Sequence, residues 1–342
     1  MKKNFYFLFI ISLILCSTLL CACGSDKAKE KAPQEQSLKI CSSMGKEATE
    51  LLVNDFAKQP NKKIKAEITY LPGGTSEERY AFLRNGGFDC WLGGTAEEYF
   101  SANEQGLLAA YAAKEAFKVP AELRNRRNLW TTLYLGHIAI ISNKSRLKNL
   151  GLYAPTTWDE LLNAKLKEEI VIPNPNLGGA SFGMLTSIWQ LRGKEEALKY
   201  AANLNLQQPV FANTVMEAAD LVYRGKKALA VVPVAYALEL EEKHNHLFAT
   251  VPKDANRNLL TGVAMLKKAP NEATTQQFID YLMSDASIKL LQTSNKYQWH
   301  VKNYPNNNNR KELVGNLQIS MDDLAWTSTY KSEIIRQWIE AN

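Results

Sequence analysis

The residues in this 342-residue chain best suited to chemistry are small ones that open helices. Ser42-Ser43-Met44-Gly45 stands between a strand-like run and a helical pattern. Free backbone N–H groups and the dipole of a helix start favour an anion at such a place. An ordinary N-cap serine would give the same letters. Gly93-Gly94-Thr95 ends another strand-like run, and its glycines either admit a ligand close to the backbone or make a tight turn. Gly178-Gly179-Ala180-Ser181 leaves room for a phosphate or carboxylate, with Ser181 as a hydrogen-bond donor. Thr75 and Ser76 begin a helix after Pro72-Gly73-Gly74, and Asn213-Thr214 begins another. Tyr236 follows Pro233-Val234-Ala235 and can either hydrogen-bond an organic ligand or pack.

Other chemistries find little support. The serines lack a nucleophile elbow, and no pattern of histidines or carboxylates calls for catalysis. The four histidines have no metal-ligand spacing: His244 and His246 sit in the charged segment EEKHNH and read as surface, and His137 lies on an apolar run and reads as core. Arg79 and Arg84 read as a solvated helix face, Arg124, Arg126 and Arg127 as a surface loop, and Trp91 as core. With 46% hydrophobic and 22% charged residues the chain is neither disordered nor collagen-like. The net charge is +6, and it falls by two when Lys2 and Lys3 leave with the first 22 residues, too small a surplus to suggest nucleic acid.

The elements that must position these residues alternate. Leu38–Cys41, Ile64–Leu71 and Phe88–Leu92 read as strands, with helices over about 46–58 and from Ser76 between them. Tyr134–Ser142 reads as one strand. Thr157 and Glu160 form a capping box for a helix, and Ile170–Ile172 is a strand. Helices are expected at about 181–192, 194–204 and 214–224, an edge strand or loop at Gln208–Phe211, and strands at Leu229–Val234 and Thr261–Leu266. Helices at about 273–283 and 285–293 follow. This order predicts an α/β fold with parallel sheets, whose ligands bind at the carboxyl ends of the strands.

The N-terminus reads as an address. Lys2 and Lys3 precede an apolar run, Phe5–Leu20, that is short for a membrane span and fits a secretory signal. The run closes on Leu20-Cys21-Ala22-Cys23, which resembles a bacterial lipobox with Cys23 as the lipid-modified thiol. Residues 1–22 are then the signal peptide and 23–37 a flexible tether to a lipid anchor, with the folded part outside the cytoplasm.

Five segments in order resemble the extracellular solute-binding proteins of bacterial ABC importers. They are Trp91-Leu92-Gly93-Gly94, Glu104–Leu108, Pro155–Leu162, Ile172-Pro173-Asn174-Pro175 with its glycine turn, and Ala269–Ala273 leading into Phe278–Ser284. The likeness is to the branch that binds ferric iron, phosphonates and sugar phosphates. It implies the class II periplasmic-binding-protein-like fold: two lobes, two crossover hinge strands and a ligand cleft between the lobes. The crossings fall near 136–140 and 251–262, so 38–137 plus 260–342 form the N-lobe and 138–259 the C-lobe, with the C-terminal tail packed on the N-lobe. Ser42 to Gly45, Thr75, Ser76, Gly93 to Thr95, Gly178 to Ser181, Asn213, Thr214 and Tyr236 then converge on the cleft. Cys41 and Cys90 become buried thiols on neighbouring strands. The implied protein is a monomeric, non-enzymatic lipoprotein without cofactor, which closes on a small anion and serves ABC permease and ATPase subunits. Ferric iron is the alternative ligand. That branch holds iron with adjacent tyrosines, and this chain has no Tyr-Tyr pair. A sensor or interaction lipoprotein without transport is the alternative of another class.

Overall fold

The computed structural model describes residues 35–60, 63–177, 179–294, 297, 299–303, 317–320 and 323–340. Cys23 and Gly178 lie outside them. Eleven strands among these residues form two sheets. The first half of the chain lays down β1 (Gln36–Ser42), α1 (Lys46–Ala57), β2 (Ile64–Tyr70), α2 (Ser76–Asn85), β3 (Cys90–Thr95), α3 (Ala96–Glu104), β4 (Leu108–Ala109) and β5 (Thr131–Gly136). Then come β6 (Ile138–Asn143), α4 (Lys144–Leu150), β7 (Ile170–Pro173), α5 (Gly179–Arg192), α6 (Lys194–Leu206), β8 (Val210–Ala212), α7 (Val215–Tyr223), β9 (Leu229–Pro233), α8 (Val234–Lys243) and β10 (Leu247–Thr250). The chain closes with β11 (Leu259–Leu266), α9 (Glu272–Leu282), α10 (Asp285–Ser294) and α11 (Leu324–Glu340).

The first sheet runs β2-β1-β3-β11-β4, with β5 also pairing to β11. β1 lies parallel to both β2 and β3, which sets Cys41 opposite Trp91 and Ile40 opposite Cys90. Both cysteines are buried free thiols, as expected. The second sheet runs β10-β6-β9-β7-β8. Its strands are apolar on both faces because helices cover both. Ile138, Ile140, Leu229, Val231, Ile170 and Ile172 feed one core cluster, and the alternate residues Ala139, Ile141, Ala230, Val232 and Val171 feed the other. A polar residue on either face would therefore be stranded.

The segment read as one strand, Tyr134–Ser142, is two. β5 pairs with β11 through Gly136, and β6 pairs with β9 from Ile138, so the chain changes sheets at His137. It returns between Thr250 and Leu259. Asn256 clamps the two passages: its Oδ1 accepts from Ile138 N at 3.0 Å, and its Nδ2 donates to Ile138 O at 2.9 Å. The reading of a capped helix at Thr157 also needs correction. Glu160 accepts from the Thr157 amide, but the Thr157 side chain returns no bond, and only short 3-10 turns form, at Asp159–Leu162 and Ala164–Leu166. The Trp158 amide is held instead by Asp254.

The terminal helix was expected on the first half alone, and it spans both. Leu324 packs on the first core and Ser328 Oγ lies 3.5 Å from Ser101 Oγ on α3. Ile334, Ile335 and Trp338 are buried in the second. The Trp338 indole donates to Asn205 Oδ1, and Asn205 returns a bond to the Trp338 carbonyl. The helix carries apolar residues at spacings that serve two neighbours at once, which sequence pattern alone cannot apportion.

Candidate functional site

The carboxyl ends of β1, β2 and β3 adjoin at one edge of the first sheet. The Ser43 amide donates to Leu92 O and the Leu71 amide to Ser42 O, each at 2.8 Å. Ser42 is buried, with Oγ accepting from Met44 N at 3.1 Å and lying 2.9 Å from Thr49 Oγ1, so it shapes the loop from within. Ser43 is exposed, and its Oγ accepts from Trp91 Nε1 at 2.8 Å. That bond fixes the oxygen and leaves the hydroxyl hydrogen free to point at a guest. Trp91 is fully buried, so it is core, and it also orients the loop.

Gly93 and Gly94 have packing reasons for being glycine. Gly93 has φ +84, and a Cβ there would stand 2.4 Å from Met44 Cγ. A Cβ on Gly94 would meet the Tyr99 ring at 2.8 Å. The Gly94 amide already donates to Tyr99 Oη at 3.0 Å, which in turn donates to Trp91 O and Gly262 O.

Helix starts sort into two kinds. α2 and α3 carry complete capping boxes, Thr75 with Glu78 and Thr95 with Glu98, in which the glutamate accepts from the cap amide and the threonine from the glutamate amide. At α7 the exposed Thr214 accepts from Glu217 N and Glu217 accepts from Asn213 N. A carboxylate already occupies each of these positions. By contrast α1 starts at Gly45, α6 at Gly193, α8 at Pro233 and α9 at Asn271 with no side-chain cap. No side chain takes the first-turn amides of α1, whereas the Val234 amide that opens α8 donates to His137 O at 2.9 Å. Of the small-residue loops, Ser43, Met44 and Gly45 belong to the uncapped start of α1, and Tyr236 lies in the first turn of α8. Burial is the chief cause raising the Tyr236 phenol, so its proton stays on.

Charged side chains that the sequence reading misplaced or passed over crowd the region between the sheets. Arg79, read as a solvated face, is largely buried and lies 2.6 Å from Glu98. Arg257, on the return passage, is 1% exposed, donates to Thr186 Oγ1 on α5 and stands 2.6 Å from Glu97 on α3. Lys331 on α11 donates to Ser76 Oγ at 3.1 Å and sits 5.7 Å from the centre of the Phe182 ring on α5. Ser76 of the first half and Phe182 of α5 thus meet at one ammonium. Burial first, then Arg79, lowers the affinity of Lys331 for its proton, against Glu98, Glu97 and Glu77. Ser181 Oγ is buried and makes no hydrogen bond among the described residues. Asn213 and Thr214 share no contact with this cluster. The described residues hold no group of three or more His, Cys, Asp or Glu able to bind a metal, and no helix long and apolar enough to cross a membrane.

A sequence profile described as bacterial extracellular solute-binding protein matches residues 95–313. An uncharacterized protein of Haemophilus influenzae is 27% identical over 291 residues, 82% of this chain and 80% of its own length. The solved periplasmic binding protein P5PA superposes with a TM-score of 0.76 at 25% identity, over 90% of this chain and 99% of its own. AfuA from Actinobacillus pleuropneumoniae, solved with fructose-6-phosphate, gives 0.78 at 22% identity, over 90% and 98%. A ferric binding protein from Campylobacter jejuni gives 0.69 at 20%, over 89% and 99%. The last two likenesses speak to the fold alone.

Proposed function

This chain belongs to the bacterial extracellular solute-binding proteins, and from that membership we propose that it captures a small anionic solute, a sugar phosphate or phosphonate, for an ABC permease and its ATPase. Solute binding outside the cytoplasm follows from the family; the anion is the further step. The observation that carries it is the start of α1 at Gly45, at the carboxyl end of β1, whose first-turn amides no side chain takes. Open first-turn amides suit phosphate or carboxylate oxygens. Nearby Ser43 and Tyr236 each supply a hydroxyl donor. Adjacent tyrosines of the kind that hold ferric iron are missing from the sequence, and Tyr236 stands alone.

In this reading the lobes are 38–137 with 260–342, and 138–259, with α11 lying on both. They swing about the passages at His137 and 251–258, and a ligand touching both lobes favours the closed state. The protein acts as a monomeric binder without catalysis, tethered through a lipid on Cys23. Loss of palmitate labelling on Cys23→Ser would test the anchor.

Titration calorimetry with fructose 6-phosphate, inorganic phosphate, a phosphonate and fructose tests the ligand class. Heat from phosphate-bearing solutes, with compaction in X-ray scattering, is the expected result. Tight binding of uncharged fructose alone would overturn it.

A further inference from the structure

The other cations partly or wholly buried between and beneath the sheets have carboxylate partners: Arg79 has Glu98, Arg257 has Glu97, and Lys302 has Glu115 and Asp285. Lys331 differs. Its Nζ meets Ser76 Oγ at 3.1 Å and the face of Phe182 at 5.7 Å, and no carboxylate of the described residues pairs with it. An ammonium taken from water without a counter-ion costs stability. Cation–π contact with phenylalanine recovers part of that cost, and a neutral serine recovers little. Lys331 has three donors. One goes to Ser76 and the ring takes one side, which leaves a donor unspent.

We infer that Lys331 is a ligand-binding residue of the cleft, contributed by the terminal helix, where its ammonium and the Ser76 hydroxyl together take the anionic oxygens of the solute. Ser76 accepts from Lys331, so its own hydrogen is free to donate to the same oxygens. The nearest other charges are committed: Glu98 to Arg79 and Glu97 to Arg257, with Glu77 exposed at the start of α2. The solute's anion is therefore the counter-ion that Lys331 lacks. Phe182 places this group near the start of α5, where Ser181 Oγ is buried without a hydrogen bond among the described residues. Ser76 lies on α2 of the first half and Phe182 on α5 of the second, and α11, which carries Lys331, lies on both.

This inference rests on the anion reading above, and the experiment separates the two. Lys331→Met keeps the length and removes the charge, and Lys331→Arg keeps the charge. Calorimetry with fructose 6-phosphate and fructose, and thermal unfolding without ligand, are run on wild type and both variants. Loss of one charge-assisted contact weakens fructose 6-phosphate about ten- to a hundredfold in Lys331→Met. Lys331→Arg retains most of the affinity, and unliganded Lys331→Met melts no lower than wild type because a desolvated cation is gone. Equal binding of fructose 6-phosphate by wild type and Lys331→Met overturns this inference and leaves the anion reading standing. Phosphate-blind wild type overturns both. A lower melting temperature in Lys331→Met, with equal losses for charged and uncharged probes, assigns the lysine to structure and also overturns the inference.

Discussion

The indole Nε1 of Trp91 donates to Ser43 Oγ across 2.8 Å, joining a fully buried side chain to an exposed one at the mouth of β1. Ser43→Ala leaves that indole N–H without its acceptor, which costs about 1–3 kcal/mol. On the anion reading it also removes one ligand donor. Urea unfolding and calorimetry on the same protein should show both losses. Ser43→Thr, which keeps the oxygen, should recover the stability. A Ser43→Ala protein as stable as wild type would mean that the Trp91 bond contributes nothing net.

Gly93 and Gly45 make a matched pair. A Cβ on Gly93 lands 2.4 Å from Met44 Cγ and 2.6 Å from Met44 N, at φ +84. Gly93→Ala should cost about 2–3 kcal/mol and shift the Ser43 loop. Nothing lies within 4 Å of the same atom on Gly45. Gly45→Ala should stay within about 0.5 kcal/mol of wild type in denaturant unfolding. Similar losses at both positions would refute this account.

Burial pushes the Cys41 thiol up from 9.0 to about 12, and burial pushes Cys90 up as well. Neutral thiols are favoured in the folded state, so their contribution to stability is complete below pH 9. It declines as pH rises from 9 through 12, where the unfolded chain releases protons first. Cys41→Ala should flatten the alkaline limb of a stability–pH curve. Neither thiol should react with Ellman's reagent at pH 8 until denaturant is added; prompt labelling of the native protein would contradict the burial.

Trp338 is 1% exposed and lies beyond the residues matched by the family profile. Trp338→Ala removes its contacts with Phe211 and Asn205 and should cost about 3–5 kcal/mol. Denaturant unfolding followed by tryptophan fluorescence reads the loss. A silent substitution would make α11 an ornament of the second core.

The alternation of strands and helices was legible because short apolar runs such as Leu229–Val234 and glycine or threonine helix starts carry local signals. The change of sheet inside Tyr134–Ser142 was not, since both strands are apolar and only long-range pairing with β11 and β9 divides them at His137. The glycines at 93 and 94 looked fit for a ligand, while their tight neighbours are Met44, Tyr99 and Trp91. A capping glutamate three residues after Thr75, Thr95 and Thr214 was visible in the sequence and already argued against an open helix start at each. Lys331 and Arg257 escaped notice, and Arg79 read as a solvated face, because lone basic residues carry no periodicity; their partners lie 19 to 255 residues away. One available sign was the odd placement of Lys331 among Trp326, Tyr330 and Ile334 on one helix.

The capping boxes bear on how such a cleft changes its diet over evolutionary time. Glu78 is exposed, and its carboxylate occupies the Thr75 amide at 2.8 Å. Mutating that one surface residue vacates a helix start beside Ser76 without disturbing the core. A population selected for growth on a different anion should reach Glu78 early, well before any buried position. On the anion reading the Thr75 helix start is a spare recognition element closed by a single replaceable side chain.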